Sequence, residues 1–262
     1  MGDAALPGRV TLVGAGPGDP GLLTVRGLRA LERADVIVAD RLGARAVLDG
    51  LAADGVLLRA DVIDVGKQPG RHPVPQEQIS QLLVTLARQG KEVVRLKGGD
   101  PFIFGRGSEE LECCREAGVP VELVPGITSA ISVPAIAGIP LTARDLAAAF
   151  TVLSGHVLIE DVPGGRDHTV VLLMGVGTLA HSAHMLSRSR GAGCPVAIVE
   201  DGYGPDQRVT FGTLGTIAHV AAQARVRNPA VVVIGDVVTL SPSAPSELVD
   251  AARPSLDRKE AP

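Results

Sequence analysis

Residues 92–107, EVVRLKGGDPFIFGRG, lead from an apolar stretch directly into a glycine-rich loop. The valines and leucine of the first half predict a buried β-strand, and Gly98, Gly99 and Asp100 begin the loop. Glycine allows the backbone to approach a ligand closely because no Cβ is in the way. Pro101 limits the conformations of the loop before a ligand binds, which reduces the entropy lost on binding. Open α/β sheets bind ligands at the carboxyl ends of their strands, so this loop is a candidate binding site. A surface turn is the alternative for Gly-Gly-Asp-Pro taken alone.

A second glycine-rich segment, VTLVGAGPGDPGLLT at 10–24, also follows a short apolar stretch. It is superficially similar to a dinucleotide-binding fingerprint, but Asp19 stands where that motif needs its third glycine. Pro17 and Pro20 also prevent a helix from opening directly on the glycines. We expect the helix to begin near Thr24, an acceptable N-cap, so binding of NAD is not expected.

Composition excludes several classes of protein. The 262 residues can bury a large core, and with 2% aromatic residues and no Trp it must consist of Val, Leu, Ile and Ala. The net charge of −4 argues against nonspecific binding of nucleic acid. No apolar run approaches the roughly 18 residues of a membrane span, and residues 1–9 lack the features of a signal peptide. We therefore expect a cytoplasmic protein without a membrane partner.

Cysteine and histidine spacing does not predict a metal site. Cys113 and Cys114 are adjacent on a predicted helix, Cys194 stands alone, and there is no C-x-x-C pair. His181 and His184 lie one helical turn apart and are able in principle to share a metal, but no third ligand is in view. Reduced, structural thiols and no bound metal are expected.

Apolar periodicity predicts alternating strands and helices. In the first half, strands are expected near 9–13, 35–39, 56–64, 92–96 and 119–124, with helices near 24–33, 43–52, 76–89, 108–117 and 127–137. This alternation predicts a largely parallel sheet covered on both faces. In the second half, strands are expected near 149–153, 169–174, 195–200, 207–211 and 230–236, with helices near 178–190 and 214–225. The half-exposed QRVTFG pattern predicts a mixed second sheet.

Turn residues and composition suggest the domain limits. A Gly-Pro hinge at 138–140 divides the chain into domains 1–140 and 141–240. From Ser241 onward, proline, serine and charge predict a disordered tail.

Five sequence blocks resemble the tetrapyrrole methylase family: GAGPGDPGLLT (14–24), DRL (40–42), VGKQPGRHPVPQEQI (65–79), RLKGGDPFIFGRGSEE (95–110) and VPGITSAISVPAIAGIPLTARD (124–145). A weaker set comprises MGV (174–176), VEDG (199–202), QRVTFGTL (207–214) and NPAVVVIGDVV (228–238). The blocks stand in the family's order. The resemblance implies an α/β fold of two αβα domains, as in class III methyltransferases, with the cofactor in the interdomain cleft.

The resemblance also implies the reaction. S-adenosylmethionine would donate methyl groups to C2 and then C7 of uroporphyrinogen III, giving precorrin-2 and two molecules of S-adenosylhomocysteine. Each transfer is an in-line displacement at a sulfonium methyl group and needs no metal. The protein has to align donor and acceptor, exclude water and manage protons. A homodimer is implied as well.

By the same resemblance, nine residues are expected to contact S-adenosylmethionine: Pro17, Gly98, Gly99, Asp100, Ile103, Thr128, Ser129, Met174 and Gly202. The residues of the Gly-Gly-Asp loop would line its amino-acid or ribose end. Thr128 and Ser129, at a helix N-terminus, would bind its carboxylate. Met174 and Gly202 would surround the adenine, although Met174 considered alone is a candidate core residue.

The acid–base residues implied by the family are Asp40 as proton acceptor and Lys67 as proton donor. A carboxylate at a strand end that faces an apolar cleft can have a raised pKa and act as a base near neutrality. Alternatively, Asp40 caps the next helix or pairs with Arg41, and Lys67 binds a substrate carboxylate. Family members usually have Tyr before this aspartate, whereas this chain has Ala39.

Arginine is expected to anchor the substrate, because its planar guanidinium pairs with carboxylates through two hydrogen bonds. Arg106, Glu109 and Arg144 lie in the strongest blocks and are assigned to the substrate site. Arg41 and Arg71 are weaker candidates.

Two other functions stay open. A later precorrin methyltransferase of corrin synthesis would share the glycine-rich loops, although the 40–42, 65–79 and 95–110 blocks argue against it. A noncatalytic tetrapyrrole or S-adenosylmethionine sensor is the other, because the 154–168 segment is shorter than the family's usual stretch. The sequence does not choose among sirohaem, haem d1 and cobalamin as the end product.

Overall fold

A computed structural model of the protein describes residues 8–40, 43–66, 74–156, 159 and 162–256, with side chains described up to residue 251. The chain divides into two compact units, Met1–Thr128 and Ser129–Pro262. Within the described residues, each unit is built around a five-stranded sheet. No helix in this part of the chain has the length and apolar character needed to cross a membrane.

The sheet of the first unit is entirely parallel, as the alternation of elements predicted, and its strand order is β3-β2-β4-β1-β5. Its strands are β1 (Arg9–Gly14), β2 (Val36–Ala39), β3 (Asp61–Asp64), β4 (Glu92–Lys97) and β5 (Val121–Val124). Its helices are α1 (Val25–Arg33), α2 (Gly43–Ala53), α3 (Gln76–Arg88) and α4 (Gly107–Glu116). Thr24 caps α1 as expected, because its Oγ1 accepts a hydrogen bond from the Gly27 amide at 3.0 Å.

Helices cover both faces of this sheet. Successive strand residues point to opposite faces, so Val94 packs against α1 and α2 while Val93 packs against α3 and α4. Each such valine or leucine contributes about 1.5–3 kcal/mol when it leaves water. Because all the strands are parallel, their carboxyl ends share one edge, and the loops after β1, β2, β4 and β5 begin there.

The second unit has a mixed sheet of order β6-β7-β10-β8-β9, as expected, in which only β6 and β7 pair in parallel among its described strands. Its strands are β6 (Ala149–Ser154), β7 (His168–Leu173), β8 (Pro195–Glu200), β9 (Arg208–Thr213) and β10 (Ala230–Ile234). Its helices are α5 (Ser129–Ile136), α6 (Leu179–Arg190), α7 (Ile217–Gln223) and α8 (Ser246–Leu256). Helices α6 and α7 cover one face, and α5 and α8 the other.

Two features differ from the expected domain limits. Helix α5 packs through Ala130 and Val133 on the second sheet, so the boundary between the units along the chain follows Thr128 rather than residue 140. Helix α8 lies inside the segment 241–262 that was expected to be disordered. Its Leu248 is 8% exposed and belongs to the same apolar cluster as α5, which a composition dominated by proline, serine and charge does not reveal.

Candidate functional site

The loops after β1 and β4 are joined backbone to backbone in the first unit. The Gly16 amide donates to the Gly99 carbonyl oxygen at 3.1 Å, and the Gly99 amide donates to the Gly16 carbonyl oxygen at 2.7 Å. These two bonds form an isolated antiparallel bridge at the sheet edge. The two glycine-rich segments singled out in the sequence are therefore one structure.

The loop after β5 packs into the same place. A Cβ on Gly14 would lie 2.5 Å from Gly126 Cα, and a Cβ on Gly126 would lie 2.3 Å from the Gly99 carbonyl oxygen. Real Cβ atoms do not approach so closely, because van der Waals repulsion is already large at such separations. Gly14 and Gly126 are therefore required for contact between the loops.

Gly98 differs from these glycines. A Cβ there would meet Gly43 N at 3.8 Å and Gly43 Cα at 3.9 Å, which are ordinary contacts. Its φ also lies outside the left-handed region. Gly98 is exposed, so the backbone at this position is open.

Asp100 fixes the geometry of the loop. Its Oδ1 accepts a hydrogen bond from the Phe102 amide at 2.8 Å, and its Oδ2 accepts one from the Gly126 amide at 3.0 Å. The carboxylate therefore closes a tight turn and ties the loop after β4 to the loop after β5. Each of its oxygens already has a backbone donor, in addition to any cofactor group that it was expected to bind.

Asp40 follows β2 directly and faces two cations. Arg95 Nη2 donates to Asp40 Oδ1 at 2.5 Å, and Lys97 Nζ lies 3.8 Å from Asp40 Oδ2. The Asp40 side chain is 36% exposed. The expected apolar surroundings are therefore wrong for this carboxylate: its neighbours are a guanidinium and an ammonium group.

A buried ion network lies behind Asp40. Glu110 is 0% exposed, and its Oε1 accepts hydrogen bonds from Arg95 Nε at 3.0 Å, Lys97 Nζ at 3.1 Å and Gln76 Nε2 at 2.9 Å. Arg95 and Lys97 are 1% and 3% exposed. Burial, followed by repulsion from Arg95, lowers the pKa of Lys97, while Asp40 and Glu110 oppose that shift. We call these four charged residues, Asp40, Arg95, Lys97 and Glu110, the ion quartet.

The local sequence explains how the quartet assembles. Arg95 and Lys97 are two residues apart on β4, so both side chains point to the face covered by α3 and α4. Helix α4 supplies Glu110 and the first residue of α3 supplies Gln76. Sequence reasoning missed Arg95, Lys97 and Glu110 as site residues. The available signal was a pair of cations inside a strand predicted to be buried, because buried charges need partners.

Arg106 and Glu109 form an exposed bidentate pair. Arg106 Nε donates to Glu109 Oε1 at 2.8 Å, and Arg106 Nη2 donates to Glu109 Oε2 at 2.7 Å. This hydrogen bonding raises the pKa of Arg106 and lowers the pKa of Glu109. Arg106 and Phe104 have φ values of 58° and 53°, a left-handed conformation that side-chain-bearing residues adopt at a cost and that clusters at functional sites.

The other residues expected in the first unit are placed as follows. Pro17 is half-buried in the loop after β1, and Ile103 is 42% exposed beside Phe102. Thr128 is half-buried and directly precedes α5, which begins at Ser129. Lys67, Arg41 and Arg71 lie outside the described residues.

In the second unit, Met174 and Gly202 each follow a strand. Met174 directly follows β7, has a φ of 56° and is 39% exposed, so it is not a core methionine. A Cβ on Gly202 would lie 2.7 Å from Val133 Cγ1, so the packing of α5 already requires glycine there. Arg144 is exposed in the turn before β6.

Comparisons with known proteins give a consistent result. Residues 9–218 match the family model described as Tetrapyrrole (Corrin/Porphyrin) Methylases. The chain is 44% identical over 243 residues to a uroporphyrinogen-III C-methyltransferase of Methanocaldococcus jannaschii, covering 90% of this chain and 98% of that protein. It is 48% identical over 239 residues to a siroheme synthase of Gluconobacter oxydans, covering 88% of this chain and 50% of that protein. A solved structure of uroporphyrin-III C-methyl transferase from Thermus thermophilus, complexed with S-adenyl homocysteine, is 41% identical, has a TM-score of 0.72, and covers 88% of this chain and 99% of that one.

Proposed function

The chain belongs to the tetrapyrrole methylase family, and we propose that it is an S-adenosylmethionine-dependent C-methyltransferase acting on uroporphyrinogen III. Two successive methyl transfers, to C2 and then to C7, would give precorrin-2. The observation that carries the proposal is the 44% identity to a uroporphyrinogen-III C-methyltransferase across 98% of that relative's length. A 41% identical solved structure in complex with S-adenyl homocysteine supports the identity of the methyl donor.

The first unit has an open backbone position that suits the donor. A Cβ at Gly98 would have its nearest neighbour at 3.8 Å, an ordinary contact distance. The φ angle of Gly98 is also one that other residues adopt without strain. Close approach of a ligand is a further physical reason for a residue without a Cβ. The other proposed contacts of S-adenosylmethionine are Pro17, Gly99, Asp100, Ile103, Thr128 and Ser129, with Met174 and Gly202 of the second unit at the adenine.

The chain's own residues have three tasks in the reaction. When bound, S-adenosylmethionine supplies a methyl group whose bond to a positively charged sulfur breaks with the electron pair going to sulfur. The protein places a pyrrole carbon in line with that group and excludes water. A pyrrole that gains a methyl group at carbon becomes cationic and has to lose a proton, and Asp40 is the proposed acceptor. Lys67 is the proposed proton donor.

Substrate binding is assigned to the arginines. Uroporphyrinogen III carries eight carboxylates, and Arg106 presents an exposed guanidinium that already forms two parallel hydrogen bonds with Glu109. A substrate carboxylate that replaced Glu109 would keep that bidentate geometry. Arg144 is the proposed second anchor.

We also propose a homodimer. Ile131 and Phe150 are 46% and 42% exposed and line one shallow apolar cavity of the second unit, together with Ala135 and Leu141. Exposed apolar side chains grouped in this way suit burial against another protein surface, and the family resemblance implies a second copy. Sedimentation equilibrium of the wild type, compared with Phe150→Ser, tests this: a dimer that the substitution weakens is expected.

The experiment that tests the function is an anaerobic incubation with uroporphyrinogen III and S-adenosylmethionine, followed by oxidation and mass spectrometry. A product that has gained two methyl groups supports the proposal, and omission of the methyl donor is the control. If the substrate gains no methyl group while calorimetry still detects bound S-adenosylmethionine, uroporphyrinogen III is not the acceptor. A later corrin precursor then becomes the substrate to test.

A further inference from the structure

The ion quartet runs from the protein core to the surface of the first unit. Glu110 and Arg95 are at most 1% exposed, while Asp40 is 36% exposed. The charges balance, because two carboxylates face one guanidinium and one ammonium group. Among the described residues, Asp40 is the member of the quartet that reaches solvent to any large extent.

Arg95 connects the two carboxylates rigidly. Its Nε bonds to Glu110, its Nη2 bonds to Asp40, and its Nη1 donates to the carbonyl oxygens of Val38 and Leu96 at 3.3 and 3.2 Å. A planar guanidinium that makes these bonds on all three nitrogens cannot rotate without breaking several of them. The buried Arg95 side chain therefore holds the Asp40 carboxylate in position from the protein interior.

Stability alone does not account for such a quartet. Removing charges from water is costly, and buried ion pairs replaced by apolar residues of similar volume often leave proteins equally stable or more stable. Arg95, Lys97 and Glu110 are almost completely buried, so a substrate cannot contact them directly. What these three residues have in common is that they affect the orientation and the charge of Asp40.

We propose that Arg95, Lys97 and Glu110 are positioning residues, which hold Asp40 as an oriented carboxylate ready to accept a proton during methyl transfer. This inference rests on the proposed function, because it assigns Asp40 to that reaction. In the described part of the chain, the charged groups that face Asp40 are Arg95 and Lys97 of β4, and Glu110 of α4 lies behind them. Gln76 of α3 is neutral and contacts only Glu110 within this group.

Two substitutions remove opposite charges from the quartet. Glu110→Gln keeps the oxygen that accepts three hydrogen bonds. Its amide nitrogen takes the place of Oε2, which has no hydrogen-bond partner among the residues that the structure describes. Asp40 then faces two cations without a compensating anion, so the acidic limb of the kcat/KM profile for uroporphyrinogen III should move to lower pH. Lys97→Met removes one of those cations, and the limb should move to higher pH. Each shift is expected to be about one pH unit.

Glu92→Gln is the matched control. Glu92 is also on β4 and also pairs with an arginine, but its pair with Arg9 is exposed at the opposite end of the strand. The Glu92→Gln substitution should leave the pH profile at its wild-type position. The Kd for S-adenosylmethionine, measured by calorimetry, should stay within about twofold of wild type in all three variants, whereas kcat should fall about 10- to 100-fold in the two quartet variants.

The direction of the two shifts decides the proposal. Opposite shifts with donor affinity preserved support it. Variants whose profiles coincide with that of the wild type, including variants that are less stable in urea but still active, overturn it. A second measurement does not need turnover: the Asp40 carboxyl carbon is followed by 13C NMR during a pH titration and assigned with Asp40→Asn. Opposite displacements of that titration in Glu110→Gln and Lys97→Met support the coupling even if the wild type does not methylate uroporphyrinogen III, an outcome that would overturn only the proposed function. Coincident titrations overturn the coupling.

Discussion

Arg95 Nη2 donates to Asp40 Oδ1 at 2.5 Å, which joins a guanidinium that is 1% exposed to a carboxylate that reaches the surface. The same guanidinium binds Glu110 through Nε at 3.0 Å. A single planar group therefore sets both the position and the electrostatic surroundings of the proposed base. Substitutions in this network can therefore test separately the charge near Asp40, the planar geometry of the guanidinium group and the contribution of the buried ions to stability.

Arg95→Lys tests the shape of that group. Lysine keeps the positive charge but presents one point donor in place of a planar fork, so it cannot bridge Glu110 and Asp40 in the same way. We expect kcat for methylation to fall about 10- to 100-fold, with an unchanged Kd for S-adenosylmethionine. Turnover assays and calorimetry check this. Wild-type turnover in Arg95→Lys would show that charge alone is sufficient.

Gly98→Ala and Gly126→Ala separate binding from packing. A Cβ at Gly98 has its nearest neighbours at 3.8 Å, whereas one at Gly126 would lie 2.3 Å from the Gly99 carbonyl oxygen. We expect the free energy of unfolding of Gly98→Ala, measured in urea, to lie within about 1 kcal/mol of the wild-type value. Its affinity for S-adenosylmethionine should fall at least about tenfold. Gly126→Ala should lower the free energy of unfolding by about 2–4 kcal/mol. Unimpaired binding in Gly98→Ala would remove that glycine from the cofactor site.

Arg106→Ala tests the substrate anchor. The pair with Glu109 is exposed, at 57% and 52% for the two side chains, so its loss should change stability by no more than about 1 kcal/mol. Turnover of uroporphyrinogen III should be lost while S-adenosylmethionine still binds. Ser108→Ala, a neighbouring exposed position, serves as the control and should behave as wild type. Loss of donor affinity in Arg106→Ala would contradict its assignment to the substrate.

The three cysteines should differ in reactivity. Burial raises the pKa of Cys114 to about 11 and the pKa of Cys194 to about 12, whereas Cys113 is only half-buried. The thiolate is the reactive form, and near pH 8 a thiol with either raised pKa is almost entirely protonated. Iodoacetamide should therefore label Cys113 first in the native protein, as read by peptide mass spectrometry. Equal labelling of all three thiols without denaturant would contradict their burial.

Strand and helix positions could be predicted well because apolar periodicity reports local burial directly. The expected strands at 92–96 and 195–200, for example, correspond to Glu92–Lys97 and Pro195–Glu200. Helix α8 was missed because the burial of Leu248 depends on a distant cluster rather than on its own neighbours. Tertiary context, which a local composition does not contain, decided the structure of that segment.

The candidate site was predictable in its loops but not in its electrostatics. Glycine and proline mark the loops that meet at the sheet edge. The sequence does not show, however, that Gly126 packs against the loop after β4 while Gly98 has no close neighbour. The surroundings of Asp40 were misjudged for a related reason. Its partner Arg95 is 55 residues away in sequence and was read as part of an apolar strand. Only the pairing of β2 with β4 brings the two together.

A triple substitution, Arg95→Met, Lys97→Met and Glu110→Leu, tests whether the quartet serves stability or function. Arg95→Met alone leaves Glu110 buried with fewer partners and should cost about 3–5 kcal/mol of unfolding free energy. The triple variant removes every fully buried charge of the quartet and replaces them with apolar side chains of similar volume. Gln76, which loses its partner, is half-buried and can still bond to water. Asp40 stays at the surface, where it is solvated.

We therefore expect the triple variant to unfold in urea with a free energy equal to that of wild type or up to about 4 kcal/mol higher. Its affinity for S-adenosylmethionine should be retained and its methylation rate lost, because Asp40 no longer has a fixed position. The strong non-additivity between the single and triple variants would itself demonstrate the coupling within the quartet. A triple variant that is less stable than Arg95→Met would instead show that the buried charges hold α3 and α4 on the sheet, and that their role is structural.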